Sequence, residues 1–196
     1  VVIGSRLNWS DHIKILCNKI SKNIGILFKI RHTLTASTLL MLYNAMIQPY
    51  LEYCNIVWGV GNTTPLVNLL RKQKKALRAI VFAKWDAHTA PIFNKMKILS
   101  ILKINKLQTA CFVYKAIHGL LPGKFANLFR KNSDIHQHDT RQSSNLHVVS
   151  HRLSLREHSI QIYGTSLWNS LSQSTVDSPS YFIFKKCYKH LLLQTS

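Results

Sequence analysis

Basic side chains in this chain outnumber acidic ones by 26 to 7, and that imbalance limits how the chain can fold. Seven carboxylates cannot pair with 26 cations, so most Lys and Arg heads must stay in water or meet an external anion. The formal net charge is +19. A chain of that charge with few apolar residues would remain disordered. Here 46% of the residues are hydrophobic, and 196 residues are enough to bury a sizeable core. The chain is therefore expected to fold with its cations sorted outward, towards something negative. Nucleic acid is the first partner class this implies, and an anionic membrane the second.

The apolar residues recur mostly every three or four positions, so the expected class is mainly α. Ser10 or Asp11 is expected to cap a first helix running to about His32, with Ile13, Leu16, Ile20, Ile24, Leu27 and Phe28 on one stripe. Thr35 or Ser37 opens a second helix carrying Leu39, Leu42, Tyr43, Met46, Ile47 and Tyr50. Pro49 should kink or divide it, and Gly59 and Gly61 end it. Pro65 suits the first turn of a third helix, whose apolar positions are Leu66, Leu69, Leu70, Leu77, Ile80 and Val81. A short helix is expected from Pro91, another over about Ile104–His118 ending at Gly119, and a further short one from Pro122 to about Lys131.

The texture changes at Asn132. From there to His151 the chain is polar and has little period, reading as a loop or short strands. Ile160 to Leu171 reads as a short helix or an irregular segment, and Ser178-Pro179 starts a last amphipathic helix to about Leu193. The opening Val1-Val2-Ile3-Gly4 reads as a strand cut from something longer, so a fragment is expected. The expected organisation is thus a strand end over 1–9, a helical bundle over 10–131 and a smaller irregular or mixed subdomain over 132–196.

Little in the sequence points to catalysis. Acid–base and two-metal chemistry need carboxylates that converge. Asp11, Glu52, Asp86, Asp134, Asp139, Glu157 and Asp177 are scattered, and only Asp134 and Asp139 lie near each other. His136-x-His138, with His147 or His151, offers a weak metal signal because no Cys lies nearby. Cys17, Cys54, Cys111 and Cys187 form no CxxC and read as buried thiols. No glycine-rich phosphate loop or nucleophile elbow occurs. No leader pattern is visible, and an intracellular setting, nucleus or cytoplasm, is expected. Leu39–Trp58 imitates a membrane span, but Asn44, Gln48, Pro49, Glu52 and Asn55 make it a buried helical segment instead. Trp9, Trp58, Trp85 and Trp168 are spread out, and core packing is the expectation for each.

The strongest local signal is Arg71-Lys72-Gln73-Lys74-Lys75-Ala76-Leu77-Arg78. Arg71, Lys74, Lys75 and Arg78 sit at i, i+3, i+4 and i+7, on one helix face opposite the leucines. Such a strip can follow a phosphate backbone while the helix stays anchored in a core. With Lys72 these residues are the expected phosphate contacts, and Lys14, Lys22 and Lys29 on the first helix form a second strip.

Several segments taken in order carry a resemblance. They begin with Arg6-Leu7-Asn8-Trp9-Ser10-Asp11-His12-Ile13 and Cys17-Asn18-Lys19-Ile20. Leu42-Tyr43-Asn44-Ala45-Met46-Ile47-Gln48-Pro49-Tyr50-Leu51-Glu52-Tyr53-Cys54 comes next, then Trp58-Gly59, Gln73-Lys74-Lys75-Ala76-Leu77-Arg78-Ala79-Ile80 and His88-Thr89-Ala90-Pro91-Ile92-Phe93. Beyond these lie Lys106-Leu107-Gln108, Tyr114-Lys115, Leu121-Pro122, Thr140-Arg141, Gly164-Thr165-Ser166-Leu167-Trp168-Asn169-Ser170-Leu171 and Phe184-Lys185-Lys186. The series resembles the region just after the palm in non-LTR retrotransposon (LINE) reverse transcriptases, jockey-like elements included, over nearly the whole chain. The chain departs from that pattern at Ser172-Gln173, where the family often has a Pro.

The resemblance implies a helical thumb and the segment beyond it, gripping an RNA–DNA template–primer duplex behind a polymerase site. Its partners would be that duplex and the palm and fingers of the parent enzyme. The family's metal-binding Asp-Asp pair has no counterpart here, so Mg²⁺ is implied only for the absent palm, no cofactor is expected in this chain, and the chain alone is expected to be inactive. No Cys/His basis for a distal zinc knuckle occurs. Two other classes stand beside this one. The first is a free-standing nucleic-acid-binding or scaffold protein domesticated from such an element. The second is a peripheral membrane protein using basic amphipathic helices.

Overall fold

The computed structural model describes residues 1–4, 8–60, 64–125, 127–135 and 142–195. The protein is mainly helical, and among the described residues the β structure is limited to an isolated bridge between Lys131 and Leu146. Val1, Val2 and Ile3 form no strand, and all three side chains are exposed. Arg6, Leu7, Gly61 and Thr140-Arg141 lie outside the described residues.

Two compact units make up the chain, one of Val1–Asn105 with Leu193–Ser196, the other of Lys106–Leu192. The division falls at 105/106, whereas the composition change falls at 131/132. The polar segment is knitted into the second unit by backbone bonding rather than set apart by it. The Asn169 side chain accepts from the Leu146 N–H at 3.0 Å and donates to the Leu146 carbonyl at 2.8 Å, doing for that residue what a neighbouring strand would do.

In the first unit, α1 (Ser10–Ile30) buries Ile13, Leu16, Ile20, Ile24 and Leu27 at helical spacing and leaves Lys14, Lys22 and Lys29 exposed. Its N-cap position is Trp9 with no side-chain cap, so neither Ser10 nor Asp11 caps it; Asp11 lies in the first turn, where the helix dipole favours a carboxylate. α2 (Ala36–Met46) starts at Thr35, whose hydroxyl accepts from the Thr38 N–H at 3.3 Å. Pro49 divides the expected second helix, standing in the first turn of a separate α3 (Gln48–Glu52). Cys54 then turns the chain at φ +52° into α4 (Asn55–Trp58). Gly59 closes α4 because nothing larger fits. Its N–H reaches the Asn55 carbonyl at 2.7 Å, and an added Cβ would stand 2.4 Å from Asn55 Oδ1.

Next in the chain are α5 (Thr64–Ile80), α6 (Ala90–Lys95) and α7 (Ile101–Ile117). All three end in the same Schellman arrangement. Ala83 N–H bonds Arg78 O at 3.0 Å, Ile98 N–H bonds Phe93 O at 3.0 Å, and Leu120 N–H bonds Lys115 O at 2.8 Å. The left-handed residue each stop requires is Phe82 (φ +56°), Lys97 (φ +54°) and Gly119 (φ +66°) respectively. Only the last is the glycine that sterics favour.

In the second unit the expected helix after Pro122 reduces to one 3-10 turn, η1 (Gly123–Phe125), with a second such turn at η2 (Asn132–Asp134). The helices α8 (Ser154–Glu157), α9 (Ile160–Asn169), α10 (Gln173–Val176) and α11 (Tyr181–Gln194) complete the unit. Its core is aromatic. Tyr114 stacks on Phe184 at 4.7 Å between centroids, Trp168 lies 5.6 Å from Phe184, and Tyr188 lies 6.1 Å from it. The Tyr114 hydroxyl donates to the Ser178 carbonyl at 3.0 Å, which satisfies its polar end. Of the cysteines only Cys111 is buried; Cys17 and Cys54 are half-buried and Cys187 is exposed, so the four are not uniformly core thiols.

His12 gives the core of the first unit a pH dependence. It is buried, its ring meets Trp58 edge to face at 5.5 Å, and Nε2 finds no partner among the described residues. Burial holds its pKa below the ordinary 6.5, helped by the Lys19 charge. The unfolded chain therefore takes up this proton first as pH falls. Stability tied to neutral His12 is full above the ordinary value of 6.5 and is lost on acidification through it, until the folded His12 also protonates. Thermal melting should fall more steeply with acid in the wild type than in His12→Gln; equal pH slopes would show that His12 carries no such term.

Candidate functional site

The basic run lies on α5, and its orientation is set by the residue in its middle. Gln73 is fully buried. Its Nε2 donates to the Tyr43 hydroxyl and to the Leu99 carbonyl, both at 2.9 Å, and its Oε1 accepts from the Ile101 N–H at 2.9 Å. Each helical residue turns about 100°, so an inward Gln73 throws its neighbours outward. Leu66, Leu69, Ala76, Leu77 and Ile80 share its buried side. Arg71, Lys74, Lys75 and Arg78 take the other side, as the spacing predicts.

These cations are not equivalent. Arg71 is exposed and donates to Asn68 Oδ1 at 3.1 Å, one turn back. Lys75 is exposed, with its ammonium 5.6 Å from the Phe28 ring centre on α1. Lys74 is half-buried and stands on the edge of a groove of about 310 Å³ lined by Leu70, His88, Phe93, Asn94 and Lys103. Arg78 is half-buried and its Nε donates to the Ala87 carbonyl at 2.9 Å, so part of its guanidinium holds the adjoining loop. Lys72 leans towards α1. Burial pushes the Cys17 thiol up in pKa, and the Lys72 charge opposes that push. On α1 itself, Lys14, Lys22 and Lys29 are all exposed, opposite that helix's buried stripe. The first unit thus carries two cationic faces on two helices that pack together.

A cation–aromatic cluster at the C-terminal ends of α1 and α5 is not legible from spacing. The Arg31 guanidinium lies 5.0 Å from the Phe28 ring centre and 5.7 Å from that of Phe82, and His32 meets Phe82 edge to face at 5.9 Å. Trp85, expected in a core, is 87% exposed in the loop beyond, while Trp58 and Trp168 are buried as expected.

The acids do local work where their partners are seen. Gln48 Nε2 donates to Glu52 at 2.6 Å, Gln173 Nε2 donates to Asp177 at 2.7 Å, and Asp134 accepts from the Lys131 N–H at 3.1 Å. His136, His138 and Asp139 lie outside the described residues, and His147 faces Asn132 Oδ1 at 3.3 Å. No group of three His, Cys, Asp or Glu able to hold a metal occurs among the described residues. No helix among them is long and apolar enough to cross a membrane. No family model, curated protein or solved structure matches this chain.

Core and strip should separate by mutation. Gln73→Ala leaves the Tyr43 hydroxyl, the Leu99 carbonyl and the Ile101 N–H short of a partner, each worth about 1–3 kcal/mol when buried, so a loss of about 3 kcal/mol or more is expected in denaturant titration. The double change Lys74→Gln with Lys75→Gln should stay within about 0.5 kcal/mol per site. The reverse ranking would mean that the cationic side carries the packing.

Proposed function

We propose that this chain is a duplex-holding, non-catalytic part of a retrotransposon reverse transcriptase, gripping an RNA–DNA template–primer through the basic faces of α5 and α1. The observation that carries the reading is the phase of α5. A fully buried Gln73 turns Arg71, Lys74, Lys75 and Arg78 to the opposite side of the helix, where they are exposed or half-buried. Lys14, Lys22 and Lys29 extend the charge on the partner helix. An RNA–DNA hybrid is recognised mainly through backbone and shape, which suits lysine-rich helix faces with no base-reading geometry. The charge balance fits the same reading, since +19 with so few acids has no internal counterweight. The ordered resemblance to the region after the palm supplies the enzyme context. Polymerisation itself, with its Mg²⁺ chemistry, would belong to the palm of the parent protein.

Filter binding of the full chain to an RNA–DNA duplex over a salt series tests this. If about 5–8 phosphates are neutralised, the log–log slope should be about −4 to −7. Lys74→Gln with Lys75→Gln should reduce that slope by about 1–2 and weaken all duplex sequences alike. A slope near zero would remove nucleic acid as the partner, and tighter binding to anionic vesicles at equal salt would favour the membrane class.

A further inference from the structure

We propose that the loop after α5 is a nucleobase-stacking site, taking an unpaired base at the end of the nucleic acid whose phosphates lie on the α5 strip. The strip supplies the strand, so the proposal deepens the duplex-holding reading and rests on it for the source of the base.

Trp85 is the starting observation. At 87% it is the most exposed of the described large hydrophobic side chains, and its loop is pinned rather than trailing. Ala83 N–H bonds back to the Arg78 carbonyl at 3.0 Å, Arg78 Nε donates forward to the Ala87 carbonyl at 2.9 Å, and Ala87 N–H closes a turn on the Lys84 carbonyl at 3.2 Å. Trp85 is the second residue of that turn, held out by bonds that a residue of the phosphate strip itself makes. An indole this exposed makes little packing contact, and its face is open to a ligand.

Phe82 is the second observation, and it is independent. It occupies the left-handed C′ position of α5 at φ +56°, where glycine is the unstrained choice, and is 49% exposed. Strain of this kind persists where surrounding contacts over-determine it, and it clusters at binding sites. Its ring is gripped by Arg31 at 5.7 Å and by the edge of His32 at 5.9 Å. Arg31 and Lys75 both also lie against Phe28.

The chemistry of this patch selects its ligand. Aromatic faces among cations match a flat, electron-rich ring that arrives with a phosphate attached, and every base offers such a face. A lipid surface would also accept the exposed Trp85 tip; the phosphate strip that braces its turn favours a nucleotide, and the vesicle arm of the test below separates the two. The site is therefore expected to be tolerant of base identity and to need the base unstacked from its duplex.

The test compares a blunt RNA–DNA duplex with the same duplex carrying a short single-stranded extension, each titrated into the full chain. Trp85→Ala should weaken binding to the extended duplex by about 5- to 150-fold, the range for loss of one stacked base, and leave the blunt duplex unchanged. Trp85→Phe should recover most of the loss. Phe82→Gly exchanges the strain at φ +56° for the loss of the ring's contacts to Arg31 and His32, so the chain should stay folded, and it should bind the extended duplex more weakly. Quenching of the iodide-accessible tryptophan emission by the extended duplex, absent with the blunt one, is the matching spectroscopic result. Equal affinities of wild type and Trp85→Ala for the extended duplex would overturn the proposal, as would an equal loss on both duplexes. Binding of the blunt duplex without any gain from the extension would sink the stacking site while leaving the duplex reading intact. Trp85-dependent binding of a single strand by a chain that ignores the blunt duplex would do the opposite. A blue shift of Trp85 on phosphatidylserine vesicles, with no response to either oligonucleotide, would make the patch a membrane contact and overturn both.

Discussion

The amide of Gln73 sets the orientation of everything proposed for the first unit. Both of its donors and its acceptor are used, joining the Tyr43 hydroxyl on α2, the Leu99 carbonyl and the first N–H of α7 to the centre of α5. The α7 end matters because the first N–H groups of a helix have no partner inside it. Gln73 Oε1 satisfies one of them at Ile101, the first residue of that helix, three residues before the start expected near Ile104. Burial raises the Tyr43 pKa far above its ordinary value, so the hydroxyl is neutral at ordinary pH while its oxygen accepts the Gln73 bond. Rolling α5 by one residue would expose this amide, strand three buried polar groups and bring Lys72 or Lys74 into the core. Each of those outcomes is costly, so the phase of the helix is fixed from inside. The cationic face results from the buried bond rather than from any preference of the lysines.

The helix ends show a different balance. Three consecutive helices stop by the same backbone bonding, yet one uses Gly119 while the other two use Phe82 and Lys97 at positive φ. An L side chain in the left-handed region costs about 1–2 kcal/mol relative to glycine. Lys97 is exposed, and no contact among the described residues explains it. Phe82 is different because its ring makes the contacts to Arg31 and His32, so the strain is accompanied by an interaction. A chain selected for stability alone would place glycine there, and keeping phenylalanine fits the common opposition between stability and a working surface.

Much of the first unit is legible in the sequence because its elements are amphipathic and punctuated. The stripe of α1, the division at Pro49, the cap at Thr35, the stop at Gly59 and the two faces of α5 all arise from local pattern. The second unit is less so. Asn169 substitutes for a strand in pairing with Leu146, a contact across 23 residues that no periodicity announces. The unit boundary escapes a reading of composition because it falls inside α7, whose apolar pattern runs on without interruption past Asn105. Trp85 reads as a core residue because tryptophan usually packs; the sign to the contrary is its immediate neighbourhood, Lys84 before it and Asp86 after it. Gln73 sits in plain view within a basic run and reads as one more polar surface residue. Only its angular position, on the leucine side, gives it away.

That angular position also bears on how the charge can be tolerated. A surface with a net +19 repels itself, and the repulsion grows as salt falls. Packing α1 against α5 brings the two cationic strips onto one unit, which worsens the repulsion at the seam where Lys72 and Lys75 lean towards α1. The cation–aromatic contacts of Lys75 and Arg31 on Phe28 relieve part of this, since the ring faces carry the negative end of a quadrupole. They are individually small, about 0.5–1 kcal/mol at exposed sites, and cannot offset the field of the whole surface. Dissolved salt screens part of what remains. A polyanion laid along α5 would remove the repulsion and release its own counterions in the same step, so binding and folding stability draw on one electrostatic term. The packing of α1 on α5 buries the core of the unit while crowding its cations, so the charge opposes a stability that the apolar contacts supply; if the proposed polyanion binds there, that opposition is relieved on binding.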